Sequence, residues 1–147
     1  MMRSNMRVNE ILYNYWNELR NNRRFPDESE IDAEKIHNIW ESCFLISYKP
    51  ELSKPLSFVY MGKKLISAYG DDVHEQEICE KLLYPNSEVL HIETEKLIVS
   101  GEPSNFDGEF TNKTGENVRY RAHILPLGHS GEDKIGFILG CMGWRSY

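Results

Sequence analysis

Apolar residues at Val8, Ile11, Leu12, Tyr15, Trp16 and Leu19 follow the spacing i, i+3, i+4, i+7, i+8, i+11, which draws one stripe along a helix over residues 8–21. Asn21-Asn22 offers an end, and Phe25-Pro26 forbids continuation because proline lacks the amide donor and restricts the residue before it. Ser29 with Asp32 resembles a helix start, and Ile31, Ile36, Ile39 and Trp40 follow as a shorter, less regular amphipathic piece. The run then changes period. Residues 43–48 read as a strand, and residues 56–61 as a second with Leu56, Phe58 and Tyr60 alternating; Gly62 closes it.

Between Lys63 and Gly101 the pattern is helical again. Leu65, Ile66 and Tyr69 make a short piece ended by Gly70, and Asp72 with Glu75 can cap a second through Ile78, Cys79, Leu82 and Leu83 until Pro85. A third starts at Asn86 or Ser87 and runs through Val89, Ile92 and Leu97 to Val99, where Ser100-Gly101 and Pro103 stop it. Residues 105–111 form a weak strand and residues 112–116 a turn. Val118, Tyr120, Ala122 and Ile124 then alternate with Arg119, Arg121 and His123, the period of a half-buried strand. After the turn at residues 128–133, the apolar run from Ile135 to Met142 suggests a strand covered on both faces. Strands at both ends of a helical block predict an α+β fold.

At 147 residues, 40% hydrophobic and 27% charged, the chain fits one globular domain able to bury a core without staples. No apolar run approaches the roughly 20 residues of a membrane span. The first ten residues are polar and lack a signal-peptide core, so a cytoplasmic protein is expected. Cys43, Cys79 and Cys141 are odd in number without CxxC spacing, which argues against a disulfide framework or a zinc knuckle and for small core fillers. A net charge of −6 disfavours nucleic acid as a partner, and the cluster Arg20, Arg23 and Arg24 suits the C-terminal end of a helix.

Several segments together resemble the PAS domain family, in the version found as small stand-alone proteins in alphaproteobacteria. They are Tyr15-Trp16-Asn17-Glu18-Leu19-Arg20, Ile31-Asp32 before Ile36, Phe44-Leu45, Tyr60-Met61-Gly62 with Tyr69-Gly70-Asp71, and Leu125-Pro126-Leu127 before Gly131 and the last strand. The resemblance runs from about Leu12 to Gly140, and it departs at Ala33, where the family often has proline. It implies a single PAS-like domain over 1–147 (first helix about 8–21, core about 40–145). Its fold would be a five-stranded antiparallel sheet of order 2-1-5-4-3, with helices on one face and an additional N-terminal amphipathic helix. That order puts the run at Ile135 in the centre.

In domains that this chain resembles, the helix-covered face lines a small-molecule cavity. On that implication Gly136, Ile138, Gly140 and Met142, with Tyr60 and His123 nearby, make a candidate ligand pocket; the competing reading is that the glycines admit a packed helix. The N-terminal stripe of Val8, Ile11, Leu12, Tyr15, Trp16 and Leu19 is read either as core of its own domain or as a homodimer contact. His91 with Glu95 has i, i+4 spacing, too little for a zinc site, and His91 is the nearest candidate for an axial haem ligand. Flavin photosensors of the family carry their reactive Cys in an Asn-Cys-Arg-Phe-Leu helix, whereas Ser42-Cys43-Phe44-Leu45 lies on a predicted strand, so light sensing is discounted. No nucleophile elbow, GxGxxG or P-loop is present, and Asp71-Asp72 sits where acids cap a helix. The expectation is a non-enzymatic regulatory protein without a cofactor or metal, acting on an unknown signalling partner and able to take a small ligand. An isomerase-like α+β enzyme and a haem gas sensor are the alternatives.

Overall fold

The computed structural model describes residues 4–70 and 87–147, with side chains from Val8 in the first stretch and from Glu88 in the second. The expected helix start at Asp72, with Ile78, Cys79, Leu82, Leu83 and Pro85, lies outside the described residues. Helix α1 spans Ser4–Arg20. It ends where Asn21 and Asn22 take positive φ of 46° and 74°, a conformation that Asn tolerates better than most residues. The short, irregular turn or helix expected after Ser29 is two 3-10 turns, Glu28–Glu30 and Ala33–Ile36, and then the short helix α2, His37–Trp40. Asp27 and Asp32 do the capping: the Asp27 carboxylate accepts from the Ser29 amide while Glu30 accepts from the Asp27 amide, and Asp32 accepts from the amide of Glu34. Two capping carboxylates five positions apart restart the chain, so no longer helix forms.

Strands β1 (Cys43–Tyr48) and β2 (Leu56–Met61) occupy the residues the alternation picked out. Helix α3 spans Lys63–Tyr69 and closes on Gly70 at φ 78°, a left-handed cap for which glycine has no steric penalty. Helix α4 spans Ser87–Ser100, and β3 (Ser104–Thr111), β4 (Asn117–Gly128) and β5 (Ile135–Ser146) complete the chain. All pairings are antiparallel and the sheet order is β2-β1-β5-β4-β3. The last strand is therefore the middle one, hydrogen-bonded to β1 on one side and β4 on the other.

Each face of the sheet carries its own core. Phe44, Ile46, Phe58, Tyr120, Ile124, Ile138 and Met142 face α3 and α4, whose Leu65, Tyr69, Leu90 and Leu97 close that layer. Leu125, Leu127, Leu139, Cys43 and Cys141 face the other way, under Leu12 and Trp16 of α1 and Ile36 and Ile39 around α2. Alternation along β5 predicts this division: Ile138 and Met142 belong to the first layer, Phe137, Leu139 and Cys141 to the second.

In two places the side-chain pattern departs from expectation. On α4 the buried stripe is Leu90, Thr94 and Leu97, while Val89, Ile92 and Val99 face outward, Val99 at 88% exposure. A threonine at the middle of the stripe hides it from a count of apolar residues. On β2 the Leu45↔Tyr60 pairing is followed by Ile46↔Phe58, so Val59 is the extra residue of a bulge. Phe58 and Tyr60, expected on one face, consequently lie on opposite faces.

The α1 stripe is core of its own domain. Leu12 and Trp16 are 0% and 1% exposed, and the Trp16 indole N–H donates to the Pro126 carbonyl at 2.8 Å. Both are thereby removed from the candidate dimer contact, because no second molecule can reach them while α1 is seated. Val8, Ile11 and Tyr15 are half-buried against the same layer, Leu19 is half-buried, and the Tyr15 hydroxyl accepts from the Asp32 amide at 2.7 Å. Trp16→Ala should accordingly lose about 3–5 kcal/mol of stability, the usual result of emptying a buried aromatic site. Val99→Ala should stay within about 0.5 kcal/mol, as surface changes do. Urea denaturation reads both, and equal effects would contradict the burial.

Candidate functional site

The seat of α1 on the sheet is where polar and reactive side chains are buried together. Three cross-strand neighbours form a row on this face: Cys43 on β1, Cys141 on β5 and His123 on β4. Each faces α1 or α2 because it is in phase with Leu139 and Leu125 on its own or the adjacent strand. The Cys141 thiol donates to Asn9 Oδ1 at 2.9 Å, and the Cys43 thiol donates to the Ile39 carbonyl at 3.3 Å. Asn9 is itself buried, so α1 is held in its N-terminal half by a thiol and in its C-terminal half by its own indole.

Tyr13 of α1 stacks on the imidazole of His123, with ring centroids 5.7 Å apart and planes 13° from parallel. His123 is 7% exposed and its buried Nε2 has no hydrogen-bond partner. Burial pushes its pKa below the ordinary 6.5, since the charged ring would lose hydration with nothing to replace it. Burial likewise raises the Cys43 thiol to about 12 and the Cys141 thiol well above its ordinary value, the second also feeling the first. Both are therefore neutral thiols while α1 is seated.

The six residues of the expected ligand pocket do not come together. Ile138, Gly140 and Met142 lie on the face covered by α3 and α4, whereas Tyr60 and His123 lie on the α1 face, the whole sheet intervening. Tyr60 stacks on Trp40 at 4.6 Å and donates to its carbonyl at 2.9 Å; burial chiefly, with nearby Cys43 and Glu41, raises its pKa to about 12. The space left by Gly140 is filled by the ring of Phe44, and that beside Gly136 by the side chain of His129. Side chains, rather than a helix, use the two glycines. The bulge at Val59 and this ring were invisible to simple alternation.

On the α3/α4 face, Thr94 is 0% exposed with its hydroxyl unpaired, and the buried Nδ1 of His91 also has no partner. His91 Nε2 lies 3.4 Å from Glu95, the i, i+4 pair expected. A rule seeking an unusual pair on α4 finds His91; only burial finds Thr94. Among the described residues no group of His, Cys, Asp or Glu is arranged to hold a metal ion, and no helix is long and apolar enough to cross a membrane.

A PAS domain family model matches residues 4–143, nearly the whole of the architecture just described. The chain belongs to the PAS domain family. Its fold is similar to that of solved structures at low sequence identity. The dark structure of the blue-light photoreceptor Aureochrome1 LOV aligns with TM-score 0.56 at 14% identity, covering 82% of this chain and 86% of that one. The PAS domain of the fruit-fly ELK potassium channel gives 0.53 at 15%, covering 80% and 100%. The LOV domain of a blue-light activated histidine kinase from Erythrobacter litoralis gives 0.52 at 13%, covering 72% and 96%. None of the curated proteins matches this PAS chain.

Two outcomes test this geometry. Gly140→Ala drives a methyl into the Phe44 ring and should cost about 1–3 kcal/mol in chemical denaturation, as overpacking does, whereas an open pocket there would accept it without loss. For His123, the unfolded imidazole takes its proton first as pH falls through 6.5, so folding stability is fully present above that pH and declines below it. His123→Gln should flatten the stability curve over that acid window; a curve parallel to the wild type would show that the ring is not held neutral.

Proposed function

We propose that this PAS domain is a cytoplasmic regulatory protein that acts by protein–protein contact, with α1 as the element that carries the signal. Family membership and the likeness to domains of light-regulated and channel proteins support a sensory signalling role. The observation that carries the choice of α1 is its mixed seat. Two large hydrophobes fix it, but an unpaired imidazole nitrogen and a thiol–amide contact lie beneath it. An unpaired buried polar group costs about 1–3 kcal/mol. Such a seat weakens the helix relative to a wholly apolar one, and elements that move in switching come from the less stable part of a fold. A partner, either a second copy or another signalling protein, then acts by binding the exposed side of α1 and favouring one position of that helix over another.

A small ligand is supported by a separate observation, the unpaired Thr94 hydroxyl beside α4, which offers a hydrogen bond to a polar molecule between that helix and the sheet. An acid–base enzyme is less well supported. His123 has the depressed pKa such chemistry favours, but Tyr13 stacks on its ring.

Native mass spectrometry of protein purified from its host should show this chain with a second polypeptide. Asn17→Arg and Glu18→Arg, both on the exposed side of α1, should deplete that species about tenfold, a loss of about 1.4 kcal/mol in binding, without lowering the melting temperature. A chain that runs alone at its own mass, or complexes indifferent to both substitutions, would refute α1 as the contact.

A further inference from the structure

Cys43 and Cys141 occupy a special position in the β1·β5 ladder. Met142 N–H donates to the Ser42 carbonyl at 3.0 Å, so the pair one step outside them is a hydrogen-bonded pair. Along an antiparallel ladder such pairs alternate with non-hydrogen-bonded ones, which makes Cys43↔Cys141 non-hydrogen-bonded. The other edge of β1 agrees: the Cys43 carbonyl is turned away toward β2, where it accepts from Gly62 N–H at 2.9 Å. At non-hydrogen-bonded positions the Cα atoms stand about 4.5 Å apart and the side chains are closest. Disulfides take Cα separations of roughly 4.4–6.8 Å. Both thiols also lie on the same face of the sheet, in the α1 layer.

We infer that Cys43 and Cys141 form a reversible cross-strand disulfide, and that closing it loosens α1 from the sheet. In the reduced protein the two thiols point to different partners, Cys43 to the Ile39 carbonyl and Cys141 to Asn9 Oδ1. To bridge, each sulfur turns toward the other and both S–H donors are lost. Asn9 Oδ1 is then left buried without its donor, and the N-terminal part of α1 loses its tether to β5. Both cysteines are 0% exposed, so an oxidant reaches them only when α1 lifts, and the thiols then ionise in water as ordinary cysteines do. The bond therefore records that the helix has opened and favours its staying open. Its value as a signal rests on α1 being the output element; the bond and its effect on the helix do not.

The oxidant required is a hydroperoxide. One thiolate attacks the peroxide oxygen, the O–O bond breaks, and a sulfenic acid forms as water or an alcohol departs. The second thiolate attacks that sulfur; the S–S bond forms, the S–O bond breaks, and hydroxide leaves as water with a thiol proton. Two electrons and two hydrogens pass from the thiols to the peroxide, and a dithiol reductant reverses the change.

The test uses the full chain with Cys79→Ser, treated with hydrogen peroxide, and the wild type in parallel with peptide mapping that reads Cys79 separately. The folded protein should become two hydrogens lighter, give a Cys43–Cys141 linked peptide in an unreduced digest, and recover both thiols with dithiothreitol. Amide exchange across α1 should accelerate roughly tenfold, the size expected for one lost buried hydrogen bond. Cys43→Ala should show neither change under peroxide. The inference is overturned if both thiols stay free when folded while the same oxidant links them in guanidinium, or if they pass only to sulfinic acid or intermolecular bonds. It is equally overturned if the link forms and exchange across α1 does not change.

Discussion

A strand paired on both edges and covered on both faces has little surface left to present to water, and β5 is such a strand over residues 138–143. Its amides and carbonyls are used by β1 and β4, which lets a run as apolar as Ile138 to Met142 be buried with its backbone paired. Everything else in the fold answers the need to shelter its side chains. The α3/α4 layer takes Ile138 and Met142, and the α1/α2 layer takes Leu139 and Cys141. Because the last strand fills the centre, the N-terminal helix can complete its own cover only when the C-terminus is already in place, as the Trp16 to Pro126 bond across 110 positions illustrates. Helix α1 is therefore an addition to a formed sheet, which is what makes it separable from the sheet in principle.

The two layers are not equivalent in chemistry. On the α3/α4 side, ring packs on ring: Phe44 meets Phe58 edge-on, Tyr69 stacks on Phe110, and Phe110 meets Tyr120 at a tilt. Such contacts add to burial and resist rearrangement. On the α1 side the helix is held by the Trp16 indole bond to the Pro126 carbonyl and by Tyr13 stacked on His123, and a buried amide, Asn9, meets the Cys141 thiol nearer the N-terminus of the helix. Each layer also holds buried polar atoms without a partner, on Thr94 and His91 in the first and on His123 in the second.

The architecture was largely legible in the sequence because it depends on period. Alternation in residues 118–124 and the 3.6-residue stripe from Val8 to Leu19 each identify an element and its buried face, and the family resemblance supplies the strand order that alternation cannot. The site was less legible for specific reasons. A single extra residue, Val59, inverts everything after it on β2 and carries Tyr60 to the opposite face, and nothing in Leu56-Ser57-Phe58-Val59-Tyr60 announces a bulge. Gly140 shows that something approaches closely, but not that it is the ring of Phe44. Thr94 reads as polar and so breaks a stripe it belongs to. Cys43 and Cys141 are 98 positions apart, and only the register of β1 on β5 brings them together.

That last pairing also bears on why these two positions carry cysteine and not valine or alanine. At position 141 valine or alanine would leave Asn9 Oδ1 buried without a donor, and at position 43 would take the thiol donor from the Ile39 carbonyl, whereas serine would donate but carry a more polar atom into an apolar layer. A thiol is a weak donor with the packing character of a small hydrophobe, so it satisfies the amide of α1 at little cost to the core. The same compromise makes the tether weak. A helix fastened by a thiol is fastened by a group that oxidation can withdraw, and the register that puts Cys141 under Asn9 also puts Cys43 beside it.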